Sequence, residues 1–321
     1  MLPKFTLTRA VSISDAIRQT KSGGMIHAGG TDLLGCLRDG VFSADKIVSI
    51  QGLKELRGIQ PTSDGGLRIG ALTTLTEIAT HPVIARRYTA LAQAAAAAAS
   101  PQLRNQGTIG GNICQRPRCW YFRGDFRCLR KGGETCFAVD GENEFHCIFG
   151  GSQCYIVHPS DTAPALVALE ARARIVGPGG RRVVPLESFF ILPRQNVTKE
   201  NLLEPGDIVS DLILPPPDGI RSSYRKVRAR GSWDFALAGV ALALKAADHR
   251  VEKARIVLSG VAPAPWRAAA AEEVLLEKPL DAETISRVAA ACVNGAEPLS
   301  QNAYKIDLVK GIVEESLLAM A

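Results

Sequence analysis

Six of the chain's eight cysteines fall between Cys114 and Cys154, a crowding that constrains this 321-residue sequence more than any other feature. Clustering of this kind fits a metal site better than the evenly paired disulfide framework of a secreted protein. Four of them, Cys119, Cys128, Cys136 and Cys154, follow directly behind the glycine turn Thr108-Ile109-Gly110-Gly111-Asn112. An iron–sulfur cluster needs four thiolates converging on one cubane, and a glycine-rich loop supplies the backbone freedom to wrap one. Zinc sites usually present C-x₂₋₄-C pairs, and these four residues contain none. Disulfides would need an oxidising compartment. Cys36, Cys114 and Cys292 read as ordinary buried thiols.

A second glycine turn, Ala28-Gly29-Gly30-Thr31-Asp32-Leu33, precedes the first by about 80 residues. Adjacent glycines after a strand let successive N–H groups face one anion, and leave room for a pyrophosphate. The plain alternative is a strand–turn–strand. In the Thr108 to Asn112 turn a hydroxyl and an amide flank the glycine pair, so two such turns could grip both phosphates of a dinucleotide. Neither is a G-x-G-x-x-G opening a helix, which disfavours an ordinary Rossmann domain. Glycine turns beside clustered thiols point to an electron-transfer flavoprotein.

Length suggests two domains, and the apolar content of 46% is ordinary for a soluble globular chain. The excess of 38 basic over 32 acidic residues is spread out, without an aromatic-interleaved stripe, so nucleic acid is not an expected partner. No stretch is long and apolar enough for a membrane span. Met1 to Thr6 lacks the apolar core of a secretory signal and reads as a strand. The cytoplasm is the default compartment; a chain exported to the periplasm already folded with a signal-bearing partner would look identical.

Residues 1 to about 58 read as β-α-β, with Ser14 capping a helix over Asp15 to Thr20 that ends at Gly23-Gly24. A strand at Leu67 to Ala71 leads through Thr73 or Thr74 into a helix stopped by His81-Pro82. An alanine-rich helix, Leu91 to Ala99, comes before the cysteines. After them come a helix over Ala165 to Glu170 and a hairpin turning at Gly177-Pro178-Gly179-Gly180. The joint Leu214-Pro215-Pro216-Pro217-Asp218-Gly219 marks the domain boundary. Three strands of a meander and two amphipathic helices, near Ala282 to Asn294 and Tyr304 to Met320, complete the chain.

The two glycine turns, followed by His158-Pro159-Ser160-Asp161-Thr162-Ala163 and Tyr224-Arg225-Lys226-Val227-Arg228, resemble the FAD-binding medium subunits of molybdenum hydroxylases, the xanthine, aldehyde and carbon monoxide dehydrogenase group. The resemblance covers essentially the whole chain. It implies an α+β fold: a two-lobed FAD-binding domain of the vanillyl-alcohol-oxidase (PCMH) type over 1–218, then a C-terminal α+β domain with a β-meander and helices over 219–321. Cofactor-binding residues carried over are Ile26, His27, Ala28, Gly29, Gly30, Thr31, Asp32, Leu33, Thr108, Gly110, Gly111, Asn112, Asp161 and Lys226. Lys226 would lie close to the flavin, where a cation stabilises the anionic reduced form; the alternative is an ordinary strand-edge lysine.

The insertion at about 115–155, with its phrase Gln115-Arg116-Pro117-Arg118-Cys119-Trp120-Tyr121-Phe122, resembles the subset carrying an extra [4Fe–4S] cluster. Motif matching puts the ligands at Cys119, Cys128, Cys136 and Cys154 and leaves Cys147 a bystander. Around the first two ligands, Arg116, Arg118, Arg123, Arg127, Arg130 and Lys131 would offset cluster charge, form a docking rim for an acidic redox protein such as ferredoxin, or simply be solvated. The function implied is electron transfer between FAD and the [2Fe–2S] small and molybdopterin-containing large subunits of an oxidoreductase acting on aldehydes or N-heterocycles, with ferredoxin or another carrier outside. The alternative within the resemblance is a reductase of the 4-hydroxybenzoyl-CoA type, with electrons flowing inward.

Overall fold

In the computed structural model, which describes residues 1–321, the N-terminal strands form a small parallel sheet. Its strands β1 (Thr6–Arg9), β2 (Met25–His27) and β3 (Lys46–Ser49) lie in the order β1-β3-β2. Ser12 rather than Ser14 caps the intervening helix, Ile13–Lys21. The Ser12 hydroxyl accepts the Asp15 N–H at 3.1 Å, and the Asp15 carboxylate accepts the Val11 N–H, a reciprocal arrangement that Ser14 could not complete.

A five-stranded antiparallel sheet follows, built from β4 (Ile59–Pro61), β5 (Leu67–Gly70), β6 (Arg172–Gly177), β7 (Gly180–Pro185) and β8 (Ile208–Leu214), in the order β4-β5-β8-β6-β7. The hairpin at Gly177–Gly180 forms as the sequence implies. Thr74 caps the helix Leu75–Thr80 in a full capping box with Glu77. That helix stops at His81, but Pro82 opens another, Pro82–Arg87, at the position where its missing N–H costs nothing.

The third sheet, β9 (Arg221–Val227), β10 (Ala238–Ala247), β11 (Arg250–Ser259) and β12 (Trp266–Arg267), is antiparallel and buried on both faces. Ala241, Ala243 and Val257 enter the main core with the alanine-rich helix Thr89–Ala97. Val240, Leu242, Leu244, Ile256 and Leu258 pack instead with the C-terminal helices Ala269–Leu275, Ala282–Ala291 and Tyr304–Leu318. Two-sided burial is why β10 reads as an apolar run from Ala238 to Leu244.

The cysteine-bearing stretch is mostly irregular and is tied down by residues 300–302 near the C-terminus. Asn143 bonds Ser300 and Gln301, and Asn302 donates to the carbonyls of His146 and Cys147. No helix is long and apolar enough to cross a membrane.

Candidate functional site

The two glycine turns meet. A Cβ on Gly29 would fall well inside contact distance of the Gln106 carbonyl oxygen, so only glycine lets the first turn lie against the second. Gly110 presses similarly on Ala71, where a Cβ would sit 2.8 Å from that residue's own Cβ. Gly30 has φ +74°, a left-handed conformation that glycine adopts without strain.

Both turns lead into short helices, although neither has the G-x-G-x-x-G spacing. Thr108 caps the single turn Ile109–Ile113, its hydroxyl accepting the Gly111 N–H at 3.2 Å. Asp32 precedes the helix Leu33–Arg38. Glycine's poor helix propensity hides both starts from the sequence, and the capping bond together with tertiary contacts overrides it.

The turns border a cleft of about 1010 Å³ lined by Ile26, Ala28, Gly29, Gly30, Thr31, Asp32, Leu33, Thr108, Gly110 and Gly111. A second space of about 1500 Å³ shares Gly30, Thr31, Asp32, Thr108 and Gly111 with it and reaches Asn112 and Asp161. The Asn112 carbonyl oxygen accepts from Ser160 Oγ at 2.5 Å and Thr162 Oγ1 at 2.6 Å, which leaves its NH₂ group free to donate. His27 and Lys226 line neither space. His27 backs onto Gly30, and Lys226 is turned inward, its Nζ donating to Asp161 at 2.9 Å. Asp161 also accepts from Tyr224 Oη at 2.8 Å. Burial pushes the Asp161 carboxyl above its ordinary range, with Lys226 pulling against it.

A further cavity of about 860 Å³ runs from Asp161 and His158 to Cys119 and His146. Beyond it, Cys119, Cys128, Cys136 and Cys154 line one small cavity, walled by Tyr121, Phe122, Phe137 and Ile156. All eight cysteines are free thiols. The neighbouring Cys136 thiol, with the Arg130 guanidinium whose Nε lies 3.5 Å away, holds the Cys154 thiol below its ordinary value. His146 Nε2 lies 3.3 Å from Cys119 Sγ, while burial pushes the Cys119 thiol up to about 11. Cys147 is fully buried and does not line the cavity. No three His, Cys, Asp or Glu side chains lie close enough to hold a single metal ion.

The basic residues around these thiols are not a docking rim. Arg118 Nη1 and Arg123 Nη2 bind the Asp32 carboxylate at 2.6 and 2.7 Å, and the Arg116 N–H adds a third bond at 2.7 Å. Arg116 Nε and Arg130 Nη1 converge on the buried Glu200 at 2.8 and 2.6 Å. Four of the six cations are thus consumed internally by two carboxylates that the sequence reading did not connect to them, because no local pattern joins residues so far apart. The same reading missed Gln115, Ser160 and Thr162 at the site for that reason.

Residues 3–217 match the family described as FAD binding domain in molybdopterin dehydrogenase, and residues 222–320 match the CO dehydrogenase flavoprotein C-terminal domain. Over 312 residues, 95% of each chain, the sequence is 36% identical to the aldehyde oxidoreductase FAD-binding subunit of Escherichia coli strain K12. It is 28% identical to the carbon monoxide dehydrogenase medium chain of Hydrogenophaga pseudoflava, over 92% of this chain and 88% of that one. A solved structure of carbon monoxide dehydrogenase from that organism superposes with a TM-score of 0.79 at 28% identity, covering 99% of this chain and 98% of its own. Quinoline 2-oxidoreductase from Pseudomonas putida 86, at 22% identity and a TM-score of 0.78, shares the fold. With glycine turns that meet at one cleft and a family match over most of its length, the chain belongs to the FAD-binding medium subunits of the molybdenum hydroxylases and is an FAD-binding oxidoreductase subunit.

Proposed function

We propose that this chain holds FAD in the cleft between its glycine turns and a [4Fe–4S] cluster among Cys119, Cys128, Cys136 and Cys154. On this reading it passes electrons between a molybdopterin-containing large subunit with its [2Fe–2S] small subunit and an external acceptor. The carrying observation is that the four thiols picked out by motif line one cavity while Cys147 does not. When bound, FAD would divide two-electron chemistry into single-electron steps and a cluster would carry one electron at a time. The similarity to an aldehyde oxidoreductase subunit supports aldehydes as the substrate class of the complex.

The chain's own residues have defined tasks on this reading. Gly29, Gly30, Gly110 and Gly111 present bare backbone to a pyrophosphate, Asn112 offers its amide as a donor, and Thr31 a hydroxyl. The Asp161–Lys226 pair, fastened by Tyr224, fixes charge at the far end of the cleft. Arg130 aims an N–H at the Cys154 sulfur, the His146 ring nitrogen lies against that of Cys119, and Tyr121, Phe122 and Phe137 keep water from them. Residues 1–218 and 219–321 are the proposed domains.

Serine replacement tests the ligand set, since a hydroxyl is a far poorer iron ligand than a thiolate. Cys119→Ser, Cys128→Ser, Cys136→Ser and Cys154→Ser should each abolish or convert the cluster's electron paramagnetic resonance signal, with FAD largely retained. Cys147→Ser should leave iron and signal unchanged. Iron that survives Cys154→Ser but not Cys147→Ser overturns the assignment.

A further inference from the structure

The face that covers the thiol cavity is aromatic and open. Trp120, Phe126, Phe137 and Phe145 are 39, 42, 36 and 44% exposed, unusual for rings of this size. They form one connected patch through Tyr121: ring centroids lie 5.6 Å apart for Trp120–Phe145, 6.3 Å for Trp120–Tyr121, 5.0 Å for Tyr121–Phe126 and 5.3 Å for Phe126–Phe137. Tyr121 and Phe137 belong both to this patch and to the cavity wall, so a single layer of rings separates the thiols from the exterior.

The charge of this face has the opposite sign to that suggested by the sequence. With Arg123 and Arg130 paired internally, its exposed carboxylates are Asp125, Glu134, Asp140, Glu142 and Glu144. None of the five side chains makes an ion pair or a hydrogen bond within the chain. Within residues 120–145 the cations without an ion-pair partner are Arg127 and Lys131, the latter bonded to the Gly124 carbonyl. Three of the four exposed aromatic residues have an acidic residue beside them: Asp125 adjoins Phe126, Glu144 adjoins Phe145, and the Glu142 carbonyl accepts the Trp120 indole N–H.

We propose that this face docks a one-electron carrier protein whose own apolar centre is ringed by basic residues. A permanent subunit interface is broad and depleted of charge at its core, whereas small apolar centres with a charged rim suit transient redox encounters, where complementary charge steers association. A reduced [4Fe–4S] cluster held by the four thiols would supply one electron to the carrier's oxidised metal centre, the cluster being oxidised and the carrier reduced, with no bond made or broken. The docking face stands on charge and exposure, while the electron route rests on the [4Fe–4S] reading.

The test uses the intact heteromeric complex and two probe proteins, a basic mitochondrial-type cytochrome c and an acidic plant-type ferredoxin, with binding followed by surface plasmon resonance. Cytochrome c should bind at low salt, weaken as salt rises, and lose about tenfold or more in affinity to the triple variant Asp125→Lys, Asp140→Lys, Glu142→Lys. Iron and FAD content, and the rate of ferricyanide reduction by the dithionite-reduced complex, should not change, which shows the variant is folded and loaded. Charge-dependent binding to a complex whose iron is fully accounted for by the [2Fe–2S] small subunit would uphold the docking face and refute the cluster reading instead. Tighter binding of ferredoxin than of cytochrome c, or an affinity indifferent to the triple variant, overturns the proposal. So does strong protection of residues 120–145 from deuterium exchange in the isolated complex, because it would place a permanent subunit over the face.

Discussion

Gly29 and Gly111 stand in matching motifs yet answer to different demands. Gly29 is required by the fold, since its missing side chain lets two backbones touch. Gly29→Ala should lower stability by about 1–3 kcal/mol, the scale of overpacking a tight contact, and lose flavin as a consequence. A Cβ on Gly111 would meet only the Thr108 hydroxyl, at 3.1 Å, and Gly111 borders the cleft. Gly111→Ala should therefore leave the melting temperature of the flavin-free protein nearly unchanged while weakening FAD binding; calorimetry beside a flavin titration separates the two. His158 makes a prediction about pH. It is buried, its Nδ1 accepting the Ser160 N–H, and burial pushes its pKa down to about 4 from an ordinary 6.5. Below pH 6.5 the unfolded chain takes up a proton that the folded chain refuses. Stability from this residue is thus complete above about 6.5 and is lost as pH falls toward 4, by about 3 kcal/mol. Urea melts across that window should show His158→Gln shallower than the parent by about one proton; equal slopes would refute the account.

Among the elements, the latch between the first glycine turn and the cysteine-bearing stretch has the widest consequences. Asp32 was expected to bind cofactor, and it does border the cleft, but its carboxylate accepts three donors from the other side. Pairing with two guanidiniums neutralises an anion that would otherwise repel a pyrophosphate. Asp32→Ala strands two partly buried arginines, at a cost of about 3 kcal/mol, and should release both flavin and iron, whereas Cys→Ser changes should release iron alone. Iron counted against FAD in the purified variant checks this. The same latch shows what the sequence could convey. The glycine pairs were legible because turn chemistry is local, and the four thiols because a family motif fixes their order. Arg118 and Arg123 were misread as surface charge because their partner lies 86 and 91 residues away. The helix Ala269–Leu275 was missed for a local reason: Ala268 stands at its start and offers no capping side chain.

For the whole molecule, the proline-rich joint at residues 214–219 separates two stretches of sequence but not two independent cores. Tyr224, Ala241, Ala243 and Val257, all beyond the joint, lie in the main core with the alanine-rich helix. Alanine on both sides allows close approach, and the backbone is stitched across the joint as well: the Ala90 N–H donates to Ser222 Oγ, and the Tyr224 N–H to Gln93 Oε1. The cleft crosses the joint too, since Asp161 is held by Tyr224 and Lys226. Without residues 219–321 the helix Thr89–Ala97 would expose its apolar face, and the Asp161 carboxylate would stay buried without its cation, a combination that destabilises strongly. The fragment 1–218 should accordingly aggregate, or bind a hydrophobic dye and no FAD, when made alone. Co-expression with 219–321 as a separate chain should restore a monodisperse, yellow product, because the missing contacts are noncovalent. Size-exclusion chromatography with flavin absorbance reads both outcomes, and a monomeric 1–218 that binds FAD tightly would show that the shared core is dispensable.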